Sequence, residues 1–114
     1  MISNADLTDA RTVENPEGIY RTTLSFGSES MLCHFKMTKG ARIPLYNHVA
    51  VQNGYVISGK LKFNKGQEGD TFIAETGASY FFASEEFHGC EVLEDIEAVE
   101  CFSPMRPEYA PGAE

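Results

Sequence analysis

Apolar and polar residues alternate with a period of two over most of the chain, the signature of strands with one buried face. Residues 31–39 show it most cleanly. Met31, Cys33, Phe35 and Met37 make one face, and Leu32, His34, Lys36 and Thr38 the other. The first face is the core candidate. Upstream, residues 19–26 read as a strand with Ile19, Arg21 and Thr23 on one side and Tyr20, Thr22, Leu24 and Phe26 on the other. Residues 41–48 form the next strand, with Pro44 tolerated only near a sheet edge. A second, more apolar strand begins at Tyr55-Val56-Ile57 and is expected to end at Gly59. Further strands are predicted over 60–64, 71–74, 79–82, 90–93 and 96–102. A polar hairpin, KGQEGD, spans 65–70, and a turn is expected at Glu94-Asp95.

Eight to ten short strands, frequent glycine turns and no convincing helix predict an all-β sandwich or barrel. Residues 1–18 read as a polar arm with room for one helical turn over 5–11 and a turn signal at Asn15-Pro16-Glu17-Gly18. Three prolines after Ser103 predict an extended tail. The expected division is an arm and first strand over 1–30, a barrel over 31–106 and the tail over 107–114, all in one domain.

Composition narrows the function classes. The chain has 114 residues, material for one core, and 42% hydrophobic residues, too many for a disordered chain. Nine Lys and Arg against seventeen Asp and Glu give a net charge of -8, which argues against a nucleic-acid partner. An anionic small ligand stays admissible, because one buried arginine outweighs the surface charge locally. Cys33, Cys90 and Cys101 are an odd count with no C-x-x-C, so reduced thiols are expected rather than a disulfide framework. No apolar run is long enough for a membrane, and the start shows no secretory signal, so a cytoplasmic protein is expected.

Residues 40–59 carry the densest chemistry. Tyr46 and His48 share one strand face, and Gln52 follows a short connection, so a phenol, an imidazole and an amide crowd one end of a sheet. The spacing is G-x5-Y-x-H-x3-Q-x6-G, from Gly40 to Gly59. A second set, Gly77 followed by Ala83, Glu85 and His88, comes after a suitable gap. Together these resemble the two motifs of the cupin superfamily, G-x5-H-x-H-x3,4-E-x6-G and G-x5-P-x-G-x2-H. Gln52 for Glu is a common variant there, Tyr46 replaces the first His, and Ala83 and Glu85 replace Pro and Gly. The resemblance covers residues 30–106. It implies a small jelly-roll (cupin) β-barrel with a pocket at its mouth and, as in many small cupins, a homodimer. An immunoglobulin-like sandwich is the alternative and lacks both a Trp and a suitable cysteine pair.

The resemblance further implies a divalent transition metal (Zn, Ni, Mn or Fe) held by His48, Gln52 and His88, residue types that suit such an ion. Tyr46 is open to three outcomes. It ligates as a phenolate, whose pKa of about 10 must first fall; it leaves a three-donor site; or the metal is lost and the pocket kept. His34 facing the pocket in compensation, or Cys90 as a thiolate ligand, are further options, against the plain reading of a rim histidine and an inert buried thiol.

The end of the last strand adds Glu100, Phe102 and Arg106. If Ile96 and Ala98 face the interior, so does Glu100, and a buried carboxylate needs a partner or a role. Arg106 is placed to fork onto a ligand carboxylate or onto Glu100, the plain alternative being a rim salt bridge. The acid-x-Phe-x3-Arg spacing is similar to that of small cupins that linearise unsaturated uronates from pectin and alginate, with Glu100 where Asp is usual. The implied function is a metal-binding cupin acting on a carboxylated small molecule, a sugar-acid isomerase or lyase. In it Glu100 moves a proton, Arg106 holds the substrate carboxylate, and Tyr46 and Phe102 line the substrate site. Two rivals stand beside it: a non-catalytic metabolite-binding cupin and an Fe(II)-dependent oxygenase.

Overall fold

The computed structural model describes residues 10–111. The helical turn considered over 5–11 and the end of the tail lie largely outside them. Eight strands follow in order: β1 (Thr12–Glu14), β2 (Ile19–Phe26), β3 (Met31–Met37), β4 (Arg42–Tyr46), β5 (Val51–Lys65), β6 (Asp70–Glu75), β7 (Ser79–Phe82) and β8 (His88–Ser103). All pairings are antiparallel, in the path β1-β2-β3-β8-β5-β6, with β4 added to β8 and β7 added to β5. The result is the expected all-β jelly roll.

Two long strands make the barrel. The C-terminal half of β8 lies between β3 and the start of β5; its N-terminal half lies between β4 and the end of β5. The pairing of β5 with β8 shifts register between Val56 and Leu61. This corrects two expectations. Gly59 does not end a strand, and Glu94-Asp95 is not a turn; both lie within strands at the shift. Gly59 has φ +106, and a Cβ there would collide with the Asp95 carbonyl oxygen, so the backbone bends through this point only because Gly59 has no side chain.

Met31, Cys33, Phe35 and Met37 are all buried, as the alternation predicts. On β2 a register shift between Thr23 and Phe26 turns Phe26 inward with Ile19, against the simple parity. Across the barrel, Phe63 packs on Tyr80 and Phe82 with ring centroids 4.5 and 5.2 Å away. β4 pairs only with β8, the edge position that Pro44 requires. The segment after β8 is irregular over 104–106 and then makes a 3-10 turn, Pro107–Tyr109, where an extended tail is expected. Tyr109 is tied to the barrel by Thr23, whose hydroxyl donates to the Tyr109 carbonyl at 2.6 Å. No helix among the described residues is long and apolar enough to cross a membrane.

Candidate metal centre and ligand groove

Strand pairing assembles the site. Tyr46, at the end of β4, is the register partner of His88, at the start of β8. Gln52, near the start of β5, pairs with Phe102 of β8 on one side and Phe82 of β7 on the other. His48 comes from the corner between β4 and β5. The three rings of Tyr46, His48 and His88 form a triangle with centroid separations of 5.4, 5.0 and 4.9 Å. Phe82 stacks on His88 at 4.4 Å and 11°, which fixes the imidazole plane.

His48 Nε2 lies 3.1 Å and His88 Nε2 3.2 Å from Gln52 Oε1. Hydrogen-bond accounting shows what this convergence means. The Gln52 amide is oriented by Glu100, because its Nε2 donates to Glu100 Oε1 at 3.0 Å; its oxygen therefore faces the imidazoles. His88 Nδ1 lies 2.9 Å from the Glu86 carbonyl, which only accepts, so that nitrogen carries the proton. A neutral His88 then directs the lone pair of Nε2 at the lone pairs of an amide oxygen. Burial, the largest effect on both, lowers the pKa of His48 and His88 and keeps them neutral. His48 Nδ1 is buried without a hydrogen bond of good geometry and has the Ala50 backbone near it.

A cation resolves this opposition. Two ligands about 2.1 Å from one ion lie about 3.0–3.4 Å apart in octahedral or tetrahedral geometry, which matches the observed separations. His48, Gln52 and His88 therefore fit a divalent transition metal. Among the described residues no group of three or more His, Cys, Asp or Glu is spaced for a metal, so the candidate centre depends on the Gln52 oxygen.

Glu100 is 5% exposed and lies behind Gln52. Its second oxygen accepts a hydrogen bond from the Tyr80 hydroxyl. Burial pushes the Glu100 carboxyl up to about 7, against the hydrogen bonds from Tyr80 and Gln52 and the more distant Arg106, which pull it down. Tyr80 was missed by sequence reasoning; it looks like one more core aromatic in the run Ser79-Tyr80-Phe81-Phe82. The signal was Gly54. Tyr80, Gly54 and Glu100 are register partners across β7, β5 and β8, and a Cβ on Gly54 would sit 2.5 Å from the Tyr80 hydroxyl. The absent side chain is the slot through which the phenol reaches the carboxylate.

Arg106 forks onto neither Glu100 nor open space. Its Nη2 and Nε donate to Glu108 at 3.1 and 3.4 Å, and its Nη1 donates to the Tyr46 hydroxyl at 3.3 Å. The phenol oxygen of Tyr46 is thereby engaged by a cation. His34 stands elsewhere, on the outer face of the sheet, with Nε2 2.7 Å from Glu97, so it does not replace a ligand at Tyr46. Cys90 lines the interior, and burial raises its thiol to about 12, which makes it an inert core group.

The space divides in two. An inner cavity of about 30 Å³ touches Gln52, His88, Glu100 and Phe102 and has room for little more than a water molecule or an ion. An outer groove of about 440 Å³ is lined by Arg21, Ile43, Tyr46, Arg106, Glu108 and Tyr109, a size suited to a small metabolite. Tyr46 and Tyr109 belong to both.

No family model and no curated protein sequence matches the chain. Solved structures do. An RmlC-like cupin from Shewanella frigidimarina aligns with a TM-score of 0.85 at 23% identity, over 94% of this chain and 95% of that one. KdgF from a Halomonas species aligns at 0.84 and 24%, over 95% and 98%. A Bacillus subtilis oxalate decarboxylase variant aligns at 0.72 and 21%, over 91% of this chain but 30% of that one. The described residues have the cupin fold.

Proposed function

We propose that the protein is a metal-dependent small-molecule cupin whose outer groove binds a carboxylated metabolite, with a sugar-acid isomerase or lyase as the reaction class. The observation that carries this reading is the convergence of two neutral imidazole nitrogens on the Gln52 oxygen, with a carboxyl near neutrality directly behind it. The resemblance of Glu100, Phe102 and Arg106 to the uronate-linearising cupins, and the alignment with KdgF, support the substrate class.

His48, Gln52 and His88 would hold the ion. Bound there, a divalent ion supplies Lewis-acid polarisation of a carbonyl or hydroxyl oxygen. Gln52 Oε1 is kept in place by the hydrogen bond from its own Nε2 to Glu100. Glu100 and Tyr80 share one hydrogen bond, and with a carboxyl near pH 7 the pair holds or releases a proton at the Glu100 oxygen facing Tyr80. Tyr46 and Tyr109 flank the boundary between cavity and groove. Phe102 walls the cavity and carries the Arg106 guanidinium 5.2 Å over its ring.

One observation favours the non-catalytic alternative. With the Tyr46 hydroxyl held by Arg106, three donors remain, fewer than the motif usually provides. Elemental analysis of protein purified without chelator, followed by a screen of unsaturated and saturated sugar acids with Glu100→Gln as control, separates the readings. Near-stoichiometric metal with turnover lost in Glu100→Gln is expected. Metal without turnover on any sugar acid would favour the binding module, and failure to retain Zn, Ni, Mn or Fe even after addition would sink the metal centre.

A homodimer is part of the same proposal. Tyr55, Ile57 and Phe81 are exposed apolar residues on paired strands β5 and β7, the kind of surface a second subunit covers. Sedimentation velocity at micromolar concentration tests it.

A further inference from the structure

We infer that Arg21, not Arg106, is the residue that receives the ligand carboxylate in the outer groove; this rests on reading the groove as a carboxylate site. Arg21 sits on the inward face of β2, between Ile19 and Thr23, and is only 5% exposed. No carboxylate among the described residues pairs with it, and its Nε is buried with no hydrogen-bond partner. Its guanidinium carbon lies 4.0 Å from the centre of the Tyr109 ring, and that of Arg106 lies 4.1 Å from the same ring. The two cations share one aromatic platform and line one groove.

Their charges are met differently. Arg106 is neutralised by Glu108 and occupied further by Tyr46. Glu100 belongs to the inner cavity, where Tyr80 and Gln52 take its oxygens. Among the described residues the groove is therefore left with one uncompensated positive charge, on a side chain already stripped of water. An unpaired buried guanidinium is unfavourable, and a carboxylate meeting its planar fork is the partner that relieves it. One unmatched charge calls for a monoanion. The tyrosine rings of Tyr46 and Tyr109 and the apolar Ile43 beside it suit a compact body with flat or hydroxylated faces, the description of a monomeric sugar acid.

Isothermal titration calorimetry at fixed ionic strength tests this with D-galacturonate and, as its uncharged counterpart, D-galactose. Wild-type protein is expected to bind the uronate at least 10-fold more tightly than galactose. Arg21→Met should erase that preference, Arg21→Lys should keep several-fold of it, and Arg106→Met should lose less than Arg21→Met. A purely structural Arg21, serving only to hold Tyr109, predicts instead a lower melting temperature in Arg21→Met with the preference intact. Persistence of the preference in Arg21→Met, or its absence in wild type, overturns the inference. Metal content, measured on the same samples, reports separately on the metal centre. Protein that retains metal without discriminating overturns the anion site alone, and protein that discriminates through Arg21 without retaining metal overturns the centre alone.

Discussion

The sheet holds two histidine environments, one on each face, built from similar residues with opposite outcomes. On the outer face His34 Nε2 meets a carboxylate oxygen of Glu97 at 2.7 Å, and the pair is complete in itself. On the inner face His48 and His88 meet an amide oxygen, at 3.1 and 3.2 Å, and His88, protonated on Nδ1, directs a lone pair at it. The carboxylate that would complete them, Glu100, is held one residue back by Gln52 and Tyr80. The outer histidine is paired by an acid, whereas the inner histidines surround an amide with the acid behind it, an arrangement that fits a cation.

The comparison breaks most clearly through metal retention. His48→Ala with His88→Ala is expected to abolish retention of a transition metal, whereas His34→Gln leaves it unchanged; elemental analysis after desalting reads both. Next in size, Glu100→Gln should retain metal and lose turnover by about 10²–10⁴-fold, the usual range for a proton-transfer group. The same carboxyl gives a pH signature in chelated protein. Its pKa rises from 4.5 to about 7 on folding, so its stabilising contribution is present below pH 4.5 and is lost as pH climbs through 7. The unfolding free energy from denaturant titration should therefore fall across that window, by of order 3 kcal/mol at most, and the fall should flatten in Glu100→Gln.

Gly54→Ala sharpens the comparison from the side of the slot. The added methyl displaces the Tyr80 hydroxyl, leaving Glu100 short of a donor, and should cost about 1–3 kcal/mol of stability by chemical unfolding. Tyr80→Phe should cost a similar amount without altering metal content. The smallest effect belongs to the closed pair on the outer face: Glu97→Gln is expected to change stability by about 1 kcal/mol or less and metal binding not at all.

Much of this was readable from the residues. The strands at Met31–Met37 and Ser79–Phe82 show the alternation that one buried face imposes, whereas Ile19–Phe26 is a strand whose period breaks at the shift between Thr23 and Phe26. Gly59 and Glu94-Asp95 misled, since each resembles a turn locally; only their meeting across β5 and β8 shows them to be a bend inside the sheet. In the site, the spacing of His48, Gln52 and His88 pointed to one cluster, and the structure brings them together. Alternation puts Arg21 on one strand face with Ile19 and Thr23, but it does not say which face turns inward, nor that no carboxylate among the described residues pairs with Arg21. Glu108, which occupies Arg106, lay in a segment that its prolines made look extended. Charge balance in a groove is a property of residues far apart in sequence, and it becomes legible only when the strands are paired.

The Thr23–Tyr109 hydrogen bond has a consequence for how such a barrel diversifies. His48, Gln52 and His88 reside on paired strands and their corner, whereas one wall of the groove is a short C-terminal turn tied by that bond, by stacking on two guanidinium groups and by the Phe102 ring. Exchange of residues 106–109 is therefore expected to change the groove wall while His48, Gln52, His88 and the core stay as they are. The barrel is a fixed frame, and the groove wall is a separately attached rim.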